Sequence, residues 1–167
     1  ITFATDRMIE IELLANSEEG LKIPNSAIVE RAFYLIPVEY LTKGGNTGAD
    51  GFIRETYLED GTVSTEFVEA TIYNSTETEY YVEESVFNIG DYIIKPDSDE
   101  KYPISKQATL IGVYNINKGY ADFKQITILY QNEEYAIVKS NTEYGLSVYD
   151  HIVLKGDTVN ENDFIYN

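Results

Sequence analysis

Ser147, Asp150 and His151 stand within five residues of one another, and His151 is the only histidine in the chain. A nucleophile, an acid and a base in that order would suit acyl transfer, but a nucleophilic serine needs small residues on both sides in a strand-to-helix turn. The local sequence Gly145-Leu146-Ser147-Val148-Tyr149 has tyrosine at the second of those positions and no helical stretch after it. Adjacent Asp150 and His151 would also point to opposite faces of a strand. The expected arrangement is a turn aspartate followed by a strand histidine, with no catalytic residue. A single histidine further removes any motif built on two imidazoles.

Carboxylates are the other source of reactive groups. Glu83, Glu84 and Asp91 could supply the pair that cleaves a glycosidic bond, but nothing in their spacing selects two from 29 acidic residues, and no Trp is present to stack on a sugar. Two loops, 46–51 with Asp50 and 96–100 with Asp97 and Asp99, have calcium-like composition. Neither reproduces the staggered oxygen ligands that calcium requires, and turn chemistry accounts for both. Gly-rich phosphate loops are missing from the sequence, and Asn74-Ser75-Thr76 is a glycosylation sequon with meaning only in a eukaryotic secretory context. The expectation is no metal, no cofactor and no enzymatic activity.

The residues around these groups are strand formers. Tyr occurs 15 times and Phe 7 times, set among Ile, Val and Thr in short alternating runs. The alternation predicts strands at 8–14, 27–30, 33–37, 51–57, 65–73, 79–82, 92–95, 108–115, 120–130, 135–139 and 151–154. Gly-, Asn- and Asp-rich turns separate them. The fold class expected is all-β, two similar small β-barrel or β-roll units in tandem with little or no helix.

Internal similarity suggests the two units. Residues 66–98 align with 122–158: Phe67 with Phe123, Ile72 with Ile128, Tyr80 with Tyr135, Val82 with Ile137, Asp91 with Asp150 and Ile93 with Ile152. Upstream, "AFYLI" from Ala32 matches "GVYNI" from Gly112. This places a first unit at 1–98, a second at 99–167, a division near 97–103, and the two phenylalanines in matching core positions. The first unit then carries an inserted loop at about 37–62. Its Gly44, Gly45, Asn46, Gly48, Asp50 and Gly51 are expected to be exposed, mobile and available for contacts.

The balance of 12 basic against 29 acidic residues gives a net charge of -17. Such a surface repels phosphate backbones and anionic headgroups, which argues against nucleic acid as a partner. Cysteine is absent, so disulfide and thiolate chemistry are excluded. No run approaches the roughly 18 apolar residues of a membrane span.

Three motifs then point to a family. "GLKIPNSAIV" from Gly20, "GVYNINKGYADFKQITI" from Gly112 and "EYGLSVYDHIVLKG" from Glu143 resemble the C-terminal region of HlyD-type membrane fusion proteins, the periplasmic adaptors of export systems, most closely a Gram-positive, clostridial variety. Pro24, Ser26 and Ala27 fill the first pattern, and Gly112, Tyr114, Gly119 and Phe123 the second. Gly145, Asp150 and Gly156 fill the third, with Tyr149 where the family has Gly; residues 66–98 keep that Gly, as Gly90-Asp91. The resemblance implies a non-enzymatic adaptor region that contacts a transporter ectodomain or neighbouring adaptors outside the cell. It also implies membrane anchoring through a segment upstream of this chain, whose second unit would correspond to the family's membrane-proximal domain. A different reading of the tyrosine-rich strands is a cell-surface ligand- or glycan-binding β-module.

Overall fold

The structure, a computed structural model, describes residues 10–13 and 20–158; the start of the strand expected from Met8 lies outside them. The chain is all-β, as the alternation predicts. In order come β1 (Glu10–Glu12), β2 (Gly20–Pro24), β3 (Val29–Pro37), β4 (Thr42–Gly44), β5 (Ala49–Tyr57), β6 (Val63–Glu69), β7 (Ile72–Ser75) and β8 (Glu79–Val82). There follow β9 (Tyr92–Ile94), β10 (Lys101–Pro103), β11 (Gln107–Asn117), β12 (Tyr120–Gln125), β13 (Ile128–Gln131), β14 (Tyr135–Lys139) and β15 (His151–Val153). Single 3-10 turns occupy Asn25–Ala27, Val38–Tyr40 and Gly156–Thr158.

The chain forms two compact units, but they are nested. A terminal unit is built from Ile1–Arg31 and Leu110–Asn167, and a middle unit from Ala32–Thr109. The division expected near 97–103 is therefore corrected. That stretch is a hairpin inside the middle unit, where Tyr102 pairs with Ile93 and the Lys95 amide donates to the Glu100 carbonyl.

The two units repeat one another strand for strand. In the middle unit β5 pairs Ile53 with Phe67 of β6 and Arg54 with Ile93 of β9. In the terminal unit β11 pairs Tyr114 with Phe123 of β12 and Asn115 with Ile152 of β15. The outer strand corresponds as well, Tyr102 of β10 lying against Ile93 and Ile11 of β1 against Ile152. Hairpins β7–β8 and β13–β14 share even a register irregularity, between Ile72 and Asn74 in one and between Ile128 and Tyr130 in the other. Against them lie Pro37, paired with Glu79, and Pro24, paired with Tyr135.

Phe67 and Phe123, Ile72 and Ile128, Asp91 and Asp150, and Ile93 and Ile152 are thus equivalent, as the sequence suggests. Three details of the sequence alignment are corrected. The partner of Gly112 is Gly51, not Ala32, because each glycine pairs two residues beyond its phenylalanine, with Gln125 and with Glu69. The second hairpin strand shifts by one, so Val82 matches Val138 and Tyr80 matches Ala136; the Tyr80–Tyr135 match follows residue type against register. Phe67 is only half-buried, whereas Phe123 is in the core.

The expected inserted loop is also corrected. About half of residues 37–62 is strand, in β4 and in β5, which contains the strand expected at 51–57; a 3-10 turn precedes them, and Phe52 is fully buried. Gly44 and Gly51 line one face under the Phe67 ring, which a Cβ on either would meet at 2.6 Å. Gly51 is further closed by the Val68 carbonyl, as Gly112 is by the Lys124 carbonyl and the Phe123 ring. An aromatic ring laid across a strand glycine restores the packing that the missing side chain forgoes. Gly45 and Gly48 take positive φ in the β4–β5 turn, where Asn46 is exposed, and Asp50 pairs with Lys43 at 2.6 Å.

The two cores use the same positions with different volumes. Ala27, Val113 and Leu146 of the terminal unit correspond to Tyr40, Phe52 and Phe87 of the middle unit, and Ile23, Val138 and Ile152 to Ile36, Val82 and Ile93. Phe52 and Phe87 meet edge-on at 6.0 Å. The middle core is the more aromatic, so its burial per side chain is larger.

Matching turns close both units. Asp91 accepts from the Asn88 amide at 2.9 Å, and Asp150 from the Ser147 amide at 2.8 Å. The residue before each aspartate takes positive φ, 96° at Gly90 and 74° at Tyr149. That conformation costs a non-glycine residue roughly 1–2 kcal/mol, and the Tyr149 side chain is largely exposed, with relative exposure 67%. Tyr149→Gly is expected to stabilise the protein by at most about 1 kcal/mol, since the greater freedom of unfolded glycine offsets part of the relief; urea denaturation measures it.

Candidate functional site

The three motifs meet at the joints of the terminal unit. Ser26 Oγ donates to the Leu154 carbonyl at 2.6 Å, and Gly156 lies so close to the Ala27 carbonyl that a Cβ there would meet it at 2.5 Å. Pro24 ends β2, and the next residue's amide donates to the Glu134 carbonyl at 3.0 Å. Gly145 is enclosed by Thr142 and the Gln125 carbonyl, and Lys118 and Gly119 take the positive φ of a two-residue hairpin turn. Tyr114 and Phe123 meet edge-on at 5.9 Å, with the Arg31 guanidinium 5.5 Å from the Phe123 ring. In the middle unit, Gly90 and Asp91 make the equivalent closing turn, with Asp91 also 3.5 Å from Arg54. The motif residues thus hold turns, as Gly119, Gly145 and Asp150 do, or strand contacts, as Ser26, Gly112, Tyr114, Phe123 and Gly156 do.

The reactive sets weighed in the sequence do not assemble. Ser147 and Asp150 share a turn through the backbone, while His151 turns to Glu12 at 3.1 Å. Glu83 accepts from the Thr71 amide and Ser85, and Glu84 from Gln107. Asp97 takes positive φ in the β9–β10 turn. Among the described residues no group of three His, Cys, Asp or Glu is placed to hold a metal.

Sequence reading missed the most unusual polar cluster, on the face of β5 opposite Phe52. Among the described residues Glu55 is the only buried charged residue, its side chain 4% exposed. Tyr57 Oη donates to its Oε1 at 2.7 Å, and Lys101 Nζ pairs with Oε2. The Lys101 ammonium also lies 5.9 Å from the centre of the Tyr92 ring. The signal in the sequence was an acid in register with Ile53 and Tyr57, where alternation expects an apolar residue. At the equivalent place the terminal unit has Ile116, so the fold itself does not require a charge there.

The hydrogen bond from Lys101, then that from Tyr57, holds the Glu55 carboxyl below its ordinary value of 4.5, against the opposing effect of burial. Hydrogen bonding to Glu55 in turn raises Lys101 above 10.5. A carboxyl with a lowered folded-state pKa contributes stability that is complete above its unfolded value and is lost as pH falls through the folded one. A lysine with a raised pKa contributes below 10.5 and loses that contribution as pH rises through its folded value. The pair is therefore fully effective between these limits, neutral pH included. Removing one partner strands the other, whereas an apolar pair of similar volume is tolerated. Lys101→Met is expected to lower Tm at neutral pH, and adding Glu55→Ile, after Ile116, is expected to restore it.

Two clefts lie at equivalent corners of the units. One of about 390 Å³ is lined by Ile11, Ile23, Pro24, Tyr135 and Leu154, with Lys22 4.3 Å over the Tyr135 ring. The other, about 440 Å³, lies beside Pro37, Val38, Thr78 and Glu79. Compared with protein families, curated proteins and solved structures, the chain matches none.

Proposed function

We propose that this chain is the extracytoplasmic β-region of a HlyD-type membrane fusion protein from a Gram-positive cell surface. It acts without bond-making chemistry, coupling a transporter ectodomain or neighbouring adaptors through protein contacts, and is anchored through sequence upstream. One observation supports the reading above others: three motifs far apart in sequence converge as the joints of one β-unit, through Ser26 with Leu154, Gly156 with Ala27 and Asn115 with Ile152. Residues carried together for that purpose serve a rigid scaffold, and a rigid scaffold suits a coupling part.

The test is made on the full-length protein in its own cells. Cross-linking at the cell surface followed by purification is expected to recover a membrane transporter in stoichiometric amount, and deletion is expected to abolish export of that transporter's substrate. Full-length protein that recovers no transporter, in cells whose export is unchanged by deletion, overturns the reading. The exposed rings of Tyr57 and Tyr92 favour a second one, a glycan-binding surface module. Saturable binding of purified cell-wall polysaccharide, lost in Tyr57→Ala, would establish it.

A further inference from the structure

We propose that the tip of the β5–β6 hairpin, with Tyr57, Leu58 and Val63 and the neighbouring Tyr92, is a docking surface for a basic protein. Tyr57 and Val63 are a cross-strand pair and so lie on one face, and the Leu58 amide donates to the Thr62 carbonyl at the turn. Relative exposures are 64% for Tyr57, 54% for Leu58, 53% for Val63 and 43% for Tyr92. Large apolar side chains gathered this way on a surface mark a contact site, and tyrosine is prominent among residues that dominate binding energy.

The repeat sharpens the assignment. At the equivalent turn the terminal unit has the two-residue Lys118-Gly119 connection, whereas the middle unit extends Leu58, Glu59, Asp60 and Gly61 into solvent. The fold is complete with the short turn, so the longer tip serves something other than folding. Beneath it the Glu55 carboxylate, held by Lys101 through Oε2, accepts from the Tyr57 hydroxyl through Oε1 and so tethers the Tyr57 ring. A ring held before binding loses less freedom on contact.

Charge selects the partner. Glu59 and Asp60 are exposed at the tip, and the whole chain carries -17. Like charge opposes a second copy of this chain and an anionic membrane, while a surface with Lys or Arg around an apolar pocket complements the rim and the centre together. A saccharide fits less well. Both Glu55 oxygens are occupied by Tyr57 and Lys101, and none of these four side chains lines either cleft described above.

The docking surface rests on the adaptor reading only for where its partner resides. A photo-cross-linking amino acid replaces Leu58 in the full-length protein, and cells are irradiated intact. The expected result is one dominant protein adduct whose cross-linked peptide carries Lys or Arg beside apolar residues. Its yield should fall at least tenfold in Glu59→Lys/Asp60→Asn, which reverses one tip charge, removes the other and leaves an acceptor for the Thr62 amide that Asp60 caps at 2.8 Å; an unaltered Tm is checked in parallel. No protein adduct overturns the proposal, as does an adduct indifferent to charge reversal, one to a second copy, or one removed by glycan hydrolysis. Loss of the adduct with transporter still co-purifying would sink this surface and leave the adaptor reading intact. An adduct to a basic protein in cells where no transporter co-purifies would do the reverse.

Discussion

Phe123→Ala is expected to cost about 3–5 kcal/mol, the loss typical of a phenylalanine removed from a core. The ring is 1% exposed, meets Tyr114 edge-on at 5.9 Å and covers Gly112. Its removal leaves a cavity that the glycine cannot fill and a strand whose backbone loses its cover. Against a total stability of about 5–15 kcal/mol, the variant should unfold at much lower urea. The equivalent change, Phe67→Ala, is expected to cost about 1–2 kcal/mol, because that ring is only partly buried over Gly44 and Gly51. Urea titrations of the two variants give the comparison. Equal costs would mean that burial does not set the difference between the two copies.

The all-β class and most strands were legible because half-buried strands alternate, and the duplication was legible because Phe67 and Phe123, or Asp91 and Asp150, recur in the same local setting. The nesting was not. Alternation reports a period of two and carries no record of which strand pairs with which, so the strand expected at 51–57 was assigned to an insertion although Gly51-Phe52-Ile53 copies Gly112-Val113-Tyr114 in register. The glycines of 44–51 suggested freedom, yet two of them are glycine because a phenylalanine lies across them. Short strands such as Thr42–Gly44 and Lys101–Pro103 offered too few residues for any period to show. The motif residues stand out in the sequence because Gly, Pro and Asp mark turns, while the Glu55 cluster needed Lys101 and Tyr92 brought to β5 by pairing.

Residues 32–109, expressed alone, are expected to fold and to unfold cooperatively. That segment holds the end of β3, all of β4 to β10 and a closed core from Tyr34 to Ile104, within the size at which domains fold alone. The terminal unit yields the complementary prediction. By the register of the repeat, Arg31 corresponds to Gly44 and Leu110 to Ala49, and in the middle unit Gly44 and Ala49 are a strand pair joined by the turn Gly45–Gly48. The middle unit is therefore inserted in the chain at the position where its own sequence has a four-residue turn. A chain in which Gly45-Asn46-Thr47-Gly48 replaces Ala32–Thr109 should retain the terminal fold, since the substituted turn already closes the same pair of strands. Circular dichroism of β type, dispersed amide resonances and a single urea transition are the expected signatures for each piece. A shortened chain that lacks them, while the isolated middle unit has them, would mean that the terminal unit folds only with its insert in place, and that the repeat of strand pairings does not extend to independent stability.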